Sequence, residues 1–81
     1  MNDEASIEAI AERIQRYLCE RPASADTTEG VHQWWLGGEA FDATLDATQA
    51  ALALLARRGV LDAVKLGHRT VWRLARPGVA A

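Results

Sequence analysis

The run VLDAVKLGHRTVWRLAR, residues 60–76, narrows what this chain can fold into more than any other stretch. Two β-prone segments flank Gly67-His68, and a two-residue hairpin loop with glycine in first position fits that junction. Such a loop fixes the register. On one face Leu66 meets Arg69, Val64 meets Val71, and Asp62 meets Arg73 as a cross-strand charge pair. On the other, Ala63 meets Trp72 and Leu61 meets Leu74. The register matches apolar groups and opposite charges, whereas a one-residue slip would turn every side chain to the opposite face. Leu61, Trp72 and Leu74 are therefore expected to point inward.

Upstream, the apolar period lengthens to that of a helix. Ile7, Ile10, Ala11, Ile14, Tyr17 and Leu18 recur at helical spacing over about residues 4–20, with Asn2 or Asp3 to cap the start and Pro22 to stop it. Glu12 and Arg16 lie one turn apart as a favourable pair on the solvent side. A second helix is predicted over about 27–36, opened by Asp26 and Glu29 in a capping-box arrangement and closed by Gly37-Gly38. Val31, Trp34 and Trp35 fall at i, i+3 and i+4 of it. That spacing puts both tryptophans on the core face, where few pairs of side chains bury as much area.

A third helix, from residue 40 or 43 to 58, carries Phe41, Leu45, Thr48, Leu52 and Leu55 as its inner stripe and ends at Gly59. The expected core is thus Ile10, Ile14, Trp34, Trp35, Leu45, Leu52, Leu55, Leu61, Trp72 and Leu74. Order is expected over about residues 4–76, with 77–81 a flexible tail.

Helix, helix, short turn, helix and hairpin resemble the winged helix-turn-helix family. The matching residues are Leu45, Thr48, Ala51, Leu52, Leu55, Gly59, Val60 and Leu61. Val71-Trp72-Arg73-Leu74 stands where such domains often carry aromatic-x-Leu. The resemblance spans about residues 7–76. It implies a mainly α domain over 1–81, three helices with a two-stranded wing, in which Trp72 is structural. For DNA-binding members it implies a third helix in the major groove and a wing against the backbone.

Composition weighs against some of those uses. Residues 1–40 hold eight acids against three arginines, and residues 41–81 three acids against six Lys/Arg, so affinity for phosphate can come only from the second half. Within it, the face of the third helix opposite the core stripe carries Ala43, Asp46, Ala47, Ala50, Ala53, Leu54 and Arg57, with Asp42 and Arg58 at its edges and Gln49 nearer the core. Base reading favours Arg, Lys, Asn or Gln, and this face leads with aspartate and alanine.

Small side chains let another backbone approach closely. The face formed by Ala43, Ala47, Ala50 and Leu54, continued by Val64, Val71 and Leu66 on the hairpin, therefore reads as a surface for another protein or a second copy of the chain. The rival reading is a DNA-binding regulator that contacts phosphate through Arg57, Arg58, Lys65, His68, Arg69 and Arg73, with Arg76 beyond them.

Cys19, His32 and His68 are too sparse to argue a metal site, no phosphate-binding glycine loop is present, and nothing supplies a nucleophile beside Asp42 and Asp46. A non-enzymatic protein without cofactor or small-molecule substrate is expected. The single cysteine, the polar start MNDEAS and the lack of any apolar run near the ~20 residues of a membrane span point to a soluble cytoplasmic protein.

Overall fold

The structure is a computed structural model that describes residues 4–37 and 43–75. The expected caps Asn2 and Asp3, the stripe residue Phe41, and Gly38, Asp42 and Arg76 lie outside the described residues. Helix α1 (Glu4–Glu20) is followed by a short strand β1 (Ala25–Asp26) and by helix α2 (Thr28–Gly30), which runs into a π-helical turn, Val31–Trp35. Helix α3 (Leu45–Arg57) and the hairpin strands β2 (Leu61–Leu66) and β3 (Arg69–Leu74) complete the order. The layout is three helices on a three-stranded antiparallel sheet of order β1-β3-β2.

The hairpin takes the register its sequence predicts, from Leu61 opposite Leu74 to Leu66 opposite Arg69. Gly67 has φ +65, the left-handed conformation that a tight loop requires and a side chain resists. Asp62 and Arg73 face each other but form no ion pair, and neither do Glu12 and Arg16. An ion pair among the described residues joins Arg58 to Glu8 instead. An exposed pair contributes little in water whether or not it closes.

A third strand replaces the two-stranded wing of the sequence reading. Once Pro22 has ended α1, Ala25 pairs with Arg73 and Asp26 with Trp72. Two residues are too short a run for alternation to be read in the sequence; what makes them a strand is the open edge of β3.

Helix α3 starts at Leu45, two residues after the later of the two predicted starts, 43. Thr44 is its cap, with Oγ1 accepting from the Ala47 amide at 3.0 Å. Its end is a Schellman arrangement. Gly59 at φ +80 donates to the Ala56 carbonyl, and Val60 donates to Leu55 at 2.9 Å. The buried face is Ala47, Thr48, Ala51, Leu52 and Leu55. That stripe is rotated from the predicted one, so Leu45 in the first turn is 44% exposed rather than core, while Ala47 is buried. The reason is that α3 packs on both α1 and the sheet, and the small faces of Ala47 and Ala51 allow that double approach. Buried Thr48 satisfies its hydroxyl by donating to the Thr44 carbonyl at 2.8 Å.

The core gathers Ile10, Ile14 and Leu18 of α1, Val31, Trp35 and Leu36, the α3 stripe, and Leu61 and Trp72 of the sheet, with Leu74 packed against its margin. Trp34 is not part of it. Trp35 is 4% exposed and Trp34 71%. In an α-helix each residue advances roughly 100°, which would put 31, 34 and 35 on one face. Here the Leu36 amide donates to the Val31 carbonyl at 3.0 Å, closing a five-residue turn. The wider turn advances each residue by less, so the inward set becomes Val31, Trp35 and Leu36, and Trp34 swings to solvent.

Candidate functional site

Thr27, not Asp26, caps α2: its Oγ1 accepts from the Gly30 amide at 3.2 Å. Asp26 Oδ1 instead accepts from the Thr27 amide at 2.8 Å. Its carboxylate occupies the space a Cβ on Gly30 would need, so a glycine with ordinary helical φ is held there by crowding. Thr28 then reaches two other elements. Its Oγ1 accepts from Trp72 Nε1 at 3.0 Å and donates to Gln49 Oε1 at 2.7 Å. This chain of two bonds ties the hairpin, α2 and α3 together and satisfies the indole N–H. Gln49 is thereby exposed and anchored through its carbonyl, rather than nearer the core.

These residues floor an open cleft of about 790 Å³ between the first turns of α2 and α3 and the hairpin loop. Glu29, Leu45, Asp46 and Gln49 line its helical side, and His68 and Arg69 its hairpin side. It is a mixed-charge surface with one large exposed apolar side chain, Leu45. Among the described residues no group of His, Cys, Asp and Glu side chains has the geometry to hold a metal ion.

The six basic candidates do not form one set. Arg58 is held by Glu8 of α1: Nη1 donates to Oε1 at 3.1 Å and Nη2 donates to Oε2. The hydrogen bond from Arg58 holds the Glu8 carboxyl below its usual range, outweighing the desolvation that would raise it, and the Arg58 guanidinium is correspondingly raised. Along the hairpin, alternation places Arg69 and Arg73 on the outer face and Lys65 on the inner one. His68 is in the loop, and Arg57 lies exposed in the last turn of α3.

The expected protein-binding face is also redrawn. Ala47 is buried against the core. Ala43 precedes α3 and packs against the core margin, its carbonyl 2.7 Å from His32 Nε2. Ala50 and Leu54 are half-buried, and so are Val64 and Val71, which pair on the outer face of the hairpin. Beside them Leu66 is 60% exposed. Leu66 is thus exposed as its place on the outer face predicts, while Gln49 and Leu45 are surface residues that the helical wheel placed toward the core. The Thr44-x-x-Ala47 cap, which sets the start of α3, was the signal available for both.

No helix among the described residues is long and apolar enough to cross a membrane. Comparison with family models, with curated proteins and with solved structures finds no match to this chain.

Proposed function

We propose that this chain is a small winged-helix module that works by binding another protein, with no catalytic step of its own. The order of elements, a hairpin directly after α3 and a short strand ahead of α2 that joins it, fits that architecture. One observation carries the choice of partner. The exposed first turns of α3 offer Leu45, Asp46 and Gln49 and no lysine or arginine, while Arg58 is committed to Glu8. A helix that reads a duplex needs donors for base edges and cations for phosphates. Leu45 in the cleft, and Leu66 beside the half-buried Val64 and Val71 on the hairpin, are instead the apolar groups that a protein partner covers.

The test is an amide NMR titration of the chain with random-sequence duplex DNA at low salt, repeated at moderate salt. We expect no shifts on residues 45–54 or 61–74. Shifts there that disappear with salt would replace this reading with phosphate binding by Arg69 and Arg73. Sedimentation velocity identifies the kind of partner: self-association lost in Leu66→Lys means a second copy, and a concentration-independent monomer means a different protein.

A further inference from the structure

Trp34 is the largest exposed apolar side chain among the described residues, and it does not stand alone. It borders a groove of about 250 Å³ between the second half of α1 and the π-helical turn, lined also by Arg13, Arg16, Tyr17, Arg21 and Trp35. The floor is already ordered. Tyr17 and Trp35 stack with ring centroids 4.9 Å apart and planes 9° from parallel, and the Arg21 guanidinium sits 4.9 Å from the centre of the Tyr17 ring. Residues 1–40 hold eight acids and only three basic residues, yet all three of those arginines line this one groove. Glu20 is the single acid among the lining residues.

We propose that this groove docks an acidic segment of a partner protein, which lays one apolar side chain against Trp34 and sets its carboxylates against Arg16 and Arg21. Trp, Tyr and Arg are the residues that dominate protein interfaces, because each adds large contact area with few conformations to lose or a forked set of donors. The volume is below the roughly 300–1,000 Å³ of pockets that enclose small molecules, so the groove receives a side chain and leaves the rest of the segment outside. A single strand of nucleic acid would also stack on an indole. It carries a charge at every nucleotide, however, and so would set phosphate against Glu20 as well as the arginines, whereas a peptide can place its carboxylates on Arg16 and Arg21 and an uncharged residue opposite Glu20. The same π-helical turn that buries Trp35 and Leu36 aims Trp34 outward, so core and docking surface are set by one backbone feature.

The experiment is an amide NMR titration of the whole chain with synthetic Asp/Glu-rich peptides bearing a central Leu, Phe or Pro, and in parallel with oligo(dT). The expected result is peptide-induced shifts confined to residues 13–21 and 31–37, weakened by salt. Binding should be reduced about tenfold or more in Trp34→Ala and in Arg16→Glu, two exposed positions whose substitution leaves the remaining amide spectrum intact. Absence of shifts with every peptide overturns the proposal, as does equal binding by Trp34→Ala. Tighter binding of oligo(dT) at the same residues overturns it in favour of single-stranded nucleic acid. This surface shares no residue with the α3–hairpin surface, so either assignment can fail alone.

Discussion

The β2–β3 hairpin and the π-helical turn each place neighbouring side chains on opposite sides, but they do so for different reasons. In the hairpin the pleat itself alternates, so Val71 and Trp72 must part whatever surrounds them. In the turn Trp34 and Trp35 part because the backbone closes a five-residue ring instead of a four-residue one. A strand's period is a property of extended backbone. A helix's period depends on which carbonyl each amide reaches, and packing can change that choice. The two regions also meet: Trp72 of the hairpin donates to Thr28 at the head of the turn.

The sharpest way to break this contrast is to truncate the two adjacent indoles separately. Trp35→Ala removes a buried ring stacked on Tyr17 and should cost ~3–5 kcal/mol in urea denaturation, close to unfolding a domain this small. Trp34→Ala should stay within about 0.5 kcal/mol. Equal costs would mean that the turn is α-helical and both rings face inward.

Next in size is the link between the regions. Thr28→Val leaves the Trp72 N–H without its acceptor and should cost ~1–3 kcal/mol. In a Trp72→Phe background the same substitution should cost markedly less. Additive effects in that double-mutant cycle would show the bond contributes nothing.

Two glycines separate backbone from crowding. Gly67→Ala forces a side chain into positive φ with open space around it, and should cost about 1–2 kcal/mol, with Gly67→Asn milder. Gly30→Ala should be near neutral, because a gain in helix propensity of ~1 kcal/mol offsets the displaced Asp26 carboxylate and its bond to Thr27. Combined with Asp26→Ala, Gly30→Ala should become stabilising. A Gly30→Ala cost unchanged by Asp26→Ala removes the crowding account.

The smallest effect lies outside both regions. Glu8 is held below its ordinary value of 4.5 chiefly by the Arg58 hydrogen bond. The stability it adds is present above the unfolded carboxyl value and is lost as pH falls through the folded one. Thermal melts from pH 7 to pH 3 should therefore decline more steeply in acid for the native chain than for Glu8→Gln. Superimposable curves would mean that the pair adds no stability.

Much of the architecture was readable in residue pattern. Helix α1 runs over the residues its apolar spacing marks, and the hairpin adopts the register set by Gly67-His68. Less of the candidate surface was. A helical wheel assigned Ala47 to solvent and Leu45 to the core, because it could not know that α3 would be packed on two sides and that Thr44 would fix where its first turn begins. The gathering of Arg13, Arg16 and Arg21 around Trp34 was invisible for a related reason: it depends on α1 lying beside a turn that is remote from it in the chain.

By itself, the sequence determined the features that local covalent geometry dictates: the α1 stripe, the hairpin pairing, and the stop at Gly59. Tertiary structure alone decided the two-residue strand β1, which exists because β3 offers an edge, and the width of the turn at Val31–Trp35. The wider turn brings Val31, Trp35 and Leu36 to the side that packs on α1 and α3, and the same widening leaves Trp34 in water.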